Sequence, residues 1–392
     1  MKRRGRIKVL QGKMREAGLY GVLLFYSRDI FYYTGTAQPS YLAVSTVDYR
    51  LFVRSGFDFA LNDVFIDPEK MKEERRLENI RREFFPDIRE GTKVATETDV
   101  LTVEQWHQFR KAFPGCEFVN VSPLVLGQRM AKEPGEVECI RKACDAVHRG
   151  HEAVLANLRE GMTELELSAI VENAHRLAGH EGIFFMRQPD FFMSRGPISS
   201  GSNLFKVSGV VYTITGVGLS ASVPAGPSRR KIKRRDLIMV DIPTHVDGYH
   251  ADQTRTYCLG KAPEAVHAMY DDLRAIADFL IQEMRAGMRC DEIYRLALAK
   301  AEELGRSGQF QGFGSGKRGR LIGHGIGLEL NEPPIPSEYD RSEIAENYVI
   351  ALDIHMMDEA LGVVKLEDMI LIKKEGNEIL TKSPRELFEV GY

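Results

Sequence analysis

The stretch Asp236-Leu-Ile-Met-Val-Asp-Ile-Pro-Thr-His-Val-Asp-Gly-Tyr-His-Ala-Asp252 decides the fold. It opens as an apolar strand ending on a carboxylate, turns at Val246-Asp-Gly-Tyr249, and returns through a second carboxylate. Asp241 and Asp252 lie 11 positions apart, a spacing that predicts a hairpin with both acids facing one point from neighbouring strands. A second stretch has the same chemistry. Tyr348-Val-Ile-Ala-Leu-Asp353 leads out, and Val364-Lys-Leu-Glu-Asp-Met-Ile-Leu-Ile372 comes back with Glu367 placed 14 positions after Asp353.

Acids inside apolar strands are costly to bury without a positive partner. Any one of them is accommodated by a solvent-facing position or by pairing with Arg255 or Lys365. Four at matching points call for more charge, and two divalent cations supply it. A fifth donor stands in Gly323-His-Gly-Ile-Gly327, where alternate glycines let the backbone crowd against His324. One imidazole with four carboxylates is an oxygen-rich set suited to Mn, Co, Fe or Zn. A two-metal site of that kind holds water as hydroxide and polarises a carbonyl.

Working outward, Pro134-Gly135 precedes apolar positions at three- and four-residue steps from Val137 to Leu158, which predicts a long amphipathic helix opening a second domain. Thr163 and Glu166 form a capping-box pattern ahead of a helix over Leu165 to Leu177 that stops near Gly179. Arg159-Glu-Gly-Met162 is repeated as Arg285-Ala-Gly-Met288, and at the same shift of 126 Glu166 falls on Glu292 and Gly179 on Gly305. The expectation is an internal duplication of a helix, helix, hairpin unit around one central site. Ahead of it, Gly21 to Phe25, Tyr41 to Val44 and Lys93 to Thr96 read as short strands of a small α/β domain. The charged segment Asp67 to Arg82 reads as one solvated surface helix.

With 392 residues and 43% hydrophobic content, the chain is long enough for two or three domains and has ordinary globular composition. Fifty-three basic against 56 acidic residues provide no broad electrostatic footprint for nucleic acid or an anionic membrane. Five scattered cysteines without Cys-x-x-Cys spacing point away from a disulfide framework and toward a reducing, cytoplasmic setting. The basic start is followed by no apolar stretch of signal-peptide length, and the run Leu19 to Tyr33 is broken by Arg28 and Asp29, so neither export nor a membrane span is expected.

The motifs Val240-Asp-Ile242, Gly248 to Thr256, Gly323-His-Gly-Ile-Gly327 and Val364-Lys-Leu-Glu-Asp368 resemble metallopeptidase family M24, which includes methionine aminopeptidase, Xaa-Pro aminopeptidase and prolidase. Tyr32-Tyr-Thr-Gly35 looks like the creatinase-type N-terminal domain of the Xaa-Pro subgroup. The resemblance implies a creatinase-type α/β domain over residues 1–130. Over residues 131–392 it implies an α+β pita-bread catalytic domain with a pseudo-two-fold duplication. It further implies metal ligands Asp241, Asp252, His324, Asp353 and Glu367, two divalent ions, and a homodimer. Glu367 or Asp353 is the carboxylate expected to handle the proton.

The sequence also departs from that family. Asp353 replaces the usual Glu, Asn331 and, by ungapped counting, Pro224 fall where the family has histidines, and Lys365 replaces an Arg. Asn331 can hydrogen-bond a substrate carbonyl but cannot exchange a proton near neutral pH. His245, His250 and His355 lie near the motifs as surface or hydrogen-bonded residues. The expected activity is cleavage of a short peptide of Xaa-Pro type by a metal-bound hydroxide. The alternatives are a small-amide hydrolase or a lyase acting on a small carboxylate and, third, a binding protein. The basic, glycine-rich loop Arg306 to Arg320 reads either as a solvated, mobile surface loop or as one that covers the site and holds an anionic substrate group.

Overall fold

A computed structural model describes residues 5–188, 195–209 and 213–391. The chain divides into two compact units, Met1–Arg129 and Met130–Tyr392.

The first unit runs α1 (Arg6–Glu16), β1 (Gly21–Leu24), α2 (Ser27–Thr34), β2 (Ser40–Ser45), β3 (Tyr49–Val53), α3 (Phe57–Asp63), β4 (Met71–Glu73), α4 (Leu77–Phe84), β5 (Lys93–Thr96), α5 (Val103–Ala112), β6 (Glu117–Asn120) and α6 (Ser122–Arg129). Its six strands form one mixed sheet in the order β4-β3-β2-β1-β5-β6. Central β1 pairs antiparallel with β2 and parallel with β5, and all four of its residues are buried. A continuous apolar run suits a strand covered on both faces. Gly35 ends α2 in the left-handed conformation (φ 96°), which accounts for the glycine of the Tyr-Tyr-Thr-Gly motif. The expected single helix over Asp67 to Arg82 is not found. That segment is a turn of 3-10 helix at Pro68–Lys70, the edge strand β4, and then α4. Its charge does mark a solvated edge: Lys72 and Glu73 are exposed, while Met71 alone in β4 turns inward.

The second unit holds α7 (Pro134–Asn157), α8 (Glu164–Leu177), β7 (Ile198–Ser200), β8 (Leu237–Asp241), β9 (Thr244–Val246), β10 (Tyr249–Ala251), β11 (Thr254–Leu259), α9 (Glu264–Glu283) and α10 (Cys290–Glu303). It continues through β12 (Gly312–Phe313), β13 (Lys317–Arg318), β14 (Gly323–Gly325), β15 (Val349–Asp358), β16 (Gly362–Leu371), β17 (Glu378–Ile379) and β18 (Phe388–Val390). The duplication is visible in the backbone. Helices α8 and α10 are both 14 residues long and both start and end 126 positions apart, and α7 and α9 end at the same shift. Thr163–Glu166 and Arg289–Glu292 both close capping boxes.

Two four-stranded sheets, ordered β18-β11-β8-β7 and β14-β15-β16-β17, carry the functional side chains. Helices α7 and α8 pack on the first through Val154, Leu167 and Val171 against Ile238 and Val240. Helix α9 packs its Met269, Leu273, Ile276 and Leu280 with Ile354, Val364 and Leu366 from the second. Each fully buried large side chain contributes about 1.5–3 kcal/mol, so both sheets are held rigidly from behind. The strands β11 and β16 belong to separate ladders, yet side chains join them. Thr256 Oγ1 donates to Lys365 O (2.8 Å) and accepts from Lys365 N (2.9 Å), and Arg255 donates to Glu367 O (2.8 Å).

The first hairpin differs from its expected form. Asp241 pairs across the ladder with Thr254, not Asp252, because the short hairpin β9–β10 is inserted between β8 and β11. Pro243 has no N–H to continue the ladder and ends the strand. The turn at Asp247-Gly248 is as read, with φ positive at both residues (51° and 84°). Asp252 sits in the two-residue link between β10 and β11. In the second half Asp353 and Glu367 are direct cross-strand partners, as the spacing predicts.

Candidate metal centre

Five elements deliver six polar side chains to one buried point. Asp241 closes β8, Asp252 lies in the link before β11, His324 is the middle residue of β14, Asp353 stands in β15, and Lys365 and Glu367 share one face of β16. Asp241, Asp252 and Asp353 are 5–6% exposed and Glu367 1%. His324 is fixed from below: its Nδ1 is 3.0 Å from Gly325 O, and a Cβ on Gly325 would lie 2.4 Å from Pro333 O. That approach is the physical reason for glycine after the histidine.

The acids separate into two groups. Ligand atoms of Asp252, His324 and Glu367 all lie within 4.8 Å of one another, a constellation that fits a single cation. Glu367 is held there by Thr254, whose hydroxyl donates to Oε2 at 2.8 Å, and His324 Nε2 lies 3.8 Å from Glu367 Oε1. Asp353 Oδ1 is buried with no hydrogen-bond partner among the described residues, an open valence of the kind a metal ion fills. On the other side the Lys365 ammonium lies 2.5 Å from Asp241 Oδ2, 3.1 Å from Asp353 Oδ2 and 3.7 Å from Glu367 Oε2.

Electrostatics follow the same division. Burial drives the Asp252 carboxyl well above its ordinary range, and the neighbouring Asp241 charge raises it further. Glu367 is pushed up in the same way by burial, then by Asp252 and Asp353. Burial also raises Asp241, but Lys365 opposes the rise. The lysine, although desolvated, is held well above its usual value by Asp241, Asp353 and Glu367. His324 is lowered by burial, which keeps the imidazole neutral and able to ligate.

Other candidates fall outside the cluster. Arg255 pairs with Asp368 at 2.6 Å and not with the four acids. His250 Nδ1 lies 3.0 Å from Gly327 O and its Nε2 accepts from Phe185 N at 3.1 Å, so both ring nitrogens are committed. His245 meets Glu181 at 2.6 Å, and His355 Nε2 is 3.0 Å from Gly312 O. Pro224 accepts from Gly218 N (2.6 Å) and Ser208 Oγ (2.7 Å) in a turn. Asn331 lines a cavity of about 690 Å³ together with Arg187, Arg318, Arg320, Phe313 and Tyr339. None of the metal-centre residues lines that cavity, although Leu321 and Asn331 on its wall flank His324 in sequence. The pairing with Lys365 that the sequence allowed for one acid is found, extended to three carboxylates, whereas Arg187 was missed. Strand alternation did put Lys365 on the face of Glu367, and that signal was available.

The sequence profile of the creatinase/prolidase N-terminal domain matches residues 6–131, and that of metallopeptidase family M24 matches residues 138–374. The Xaa-Pro dipeptidase of Pyrococcus furiosus is 26% identical over 97% of this chain and 99% of its own length. Among solved structures, an Xaa-Pro dipeptidase from Bacillus anthracis superposes with a TM-score of 0.83 at 21% identity, over 99% of this chain and 100% of that one. The prolidase of Pyrococcus horikoshii OT3 gives 0.78 at 24% identity, covering 97% of this chain and 99% of its own. The fold expected from the resemblance, a creatinase-type α/β domain followed by a pita-bread domain, is therefore the fold of these proteins. With its profile spanning more than half of the sequence, the chain belongs to metallopeptidase family M24.

Proposed function

We propose that the chain is a metal-dependent dipeptidase acting on short peptides of Xaa-Pro type, its metal held by Asp252, His324 and Glu367 with Asp353 Oδ1 alongside. The observation that carries this reading is the convergence of the Asp252, His324 and Glu367 ligand atoms within 4.8 Å of one another. The peptidase names of the matched relatives favour peptide hydrolysis over small-amide cleavage or elimination. A divalent ion bound there, with Mn, Co, Fe and Zn all suited to the donor set, supplies Lewis acidity toward a carbonyl and acidifies water. The chain's own residues do the rest. Glu367, raised by burial, is the carboxylate best placed to accept a proton, and the Thr254 hydroxyl keeps its second oxygen oriented.

Substrate polarity follows from the cavity. Arg187, Arg318 and Arg320 line it beside Phe313 and Tyr339, with Arg187 also near Glu329 and Arg320 near Glu338, and a lining of basic and aromatic residues suits a short peptide with a free carboxylate and an apolar ring. A charge-assisted hydrogen bond contributes about 1.5–3 kcal/mol, so replacing the C-terminal carboxylate of an Xaa-Pro dipeptide by an amide is expected to lower kcat/KM about 10- to 150-fold. Equal turnover of acid and amide would show that the arginines do not read the carboxylate.

Asn331 sets the expected rate. General acid–base assistance contributes roughly 10²- to 10⁴-fold, and an amide cannot provide it. Proline dipeptidase activity is therefore expected to be slow. Asn331→His is expected to raise kcat by about 10²-fold, the lower end of that range, with metal content unchanged by elemental analysis. A wild-type turnover near the enzyme median of about 10 per second would refute the argument.

A further inference from the structure

We propose that the Lys365 ammonium permanently takes the place of one of two metal ions, so that the chain binds a single divalent ion, at Asp252, His324 and Glu367. This inference rests on the metallopeptidase reading and specifies its cofactor. A lysine head carries three N–H donors, and three carboxylates converge on this one at 2.5, 3.1 and 3.7 Å. Lys365 is 1% exposed, flanked along β16 by buried Val364 and Leu366, so its ammonium is shielded from solvent. Its backbone is locked in both directions by Thr256. The position is thus built, not a surface side chain that happens to reach inward.

The two cations are mutually exclusive on geometric grounds. Carboxylate oxygens lie about 2.0–2.2 Å from a bound transition-metal ion. An ion on Asp241 Oδ2 and Asp353 Oδ2 would occupy the space where the ammonium contacts the same two atoms. A positive head beside it would also repel it, because like charges a few ångströms apart in a poorly screened interior interact strongly. The ligand atoms of Asp252, His324 and Glu367 converge within 4.8 Å of one another and suffice to hold one ion. The lysine's head brings a charge of +1 where a metal would bring +2, and it cannot be removed by a chelator.

The test is stoichiometry, read without reference to activity. Purified protein is stripped with a chelator, dialysed against excess Mn²⁺ or Zn²⁺, and analysed for ions per chain. Wild type is expected to hold one ion and Lys365→Met two. As a check that does not depend on removing the lysine, Asp241→Asn is expected to keep its one ion with affinity within about threefold, whereas Asp252→Asn loses it, the loss exceeding the roughly 10- to 100-fold typical of outer-shell partners. Two ions in the wild type would overturn the inference alone. So would a Lys365→Met protein that still takes one ion, or loss of the ion from Asp241→Asn. No ion in any of the proteins would overturn the metallopeptidase reading itself.

Discussion

Asp252→Ala is expected to leave the protein without tightly bound metal and without measurable peptidase activity. Asp252 is one of three side chains whose ligand atoms converge within 4.8 Å, and it comes from a link rather than a strand, so no neighbouring acid can slide along a ladder to replace it. Partners that only orient a ligand cost about 10- to 100-fold in metal affinity when removed, and a ligand itself is expected to cost more. The loss has a second signature. A ligand present at about 100 times its dissociation constant stabilises the fold by about 2.7 kcal/mol, so adding Mn²⁺ raises the melting temperature of the wild type and leaves that of Asp252→Ala unmoved. Metal content and a metal-dependent melting shift that both survive the substitution would remove Asp252 from the centre.

Lys365→Met is expected to be the most destabilising single change in the metal-free protein. Methionine keeps most of the stem's volume but removes the only cation within 4 Å of Asp241 and Asp353 among the described residues. Removing one partner of a buried ion pair typically costs 3–5 kcal/mol, because the charge left behind is uncompensated. In a unit of this size each kcal/mol moves the melting temperature by about 2–4 °C, so a fall of roughly 10 °C is expected in chelator-treated protein. Saturating divalent metal is expected to recover most of it, since an ion then takes the vacated position. Thermal melts with and without Mn²⁺ decide the matter, and an unchanged metal-free melting temperature would mean that the lysine is not the counter-ion of this cluster.

Much of the second unit was legible in the sequence because its signals are local. Capping boxes fix Glu166 and Glu292, and two helices of identical length sit at the spacing the repeat implies. The cross-strand pairing of Asp353 with Glu367 followed from an uninterrupted ladder of ten pairs. The first hairpin was harder, since Pro243 breaks the strand and lets β9–β10 intervene, a local event with a long-range effect on register. The charged segment after Asp67 was misread because its charges describe exposure, which an edge strand and a helix share. Lys365 was read as a partner for a single acid, and it does pair with Asp241, but also with Asp353. Alternation gave its face, but only three-dimensional reach shows an ammonium among acids contributed by three strands. Arg187 came to the cavity from a segment with no motif at all, and nothing in its neighbours announced it.

The junction of β11 with β16 has a practical consequence. No ladder runs between the two sheets, so the ligand set is split across two halves stitched by Thr254, Arg255 and Thr256. One half carries Asp241 and Asp252, the other His324, Asp353, Lys365 and Glu367, and the link Gly260–Pro263 connects them on the way to α9. Neither half alone owns a complete coordination sphere. A chain severed at that link would therefore have the donors of the metal centre on two separate pieces.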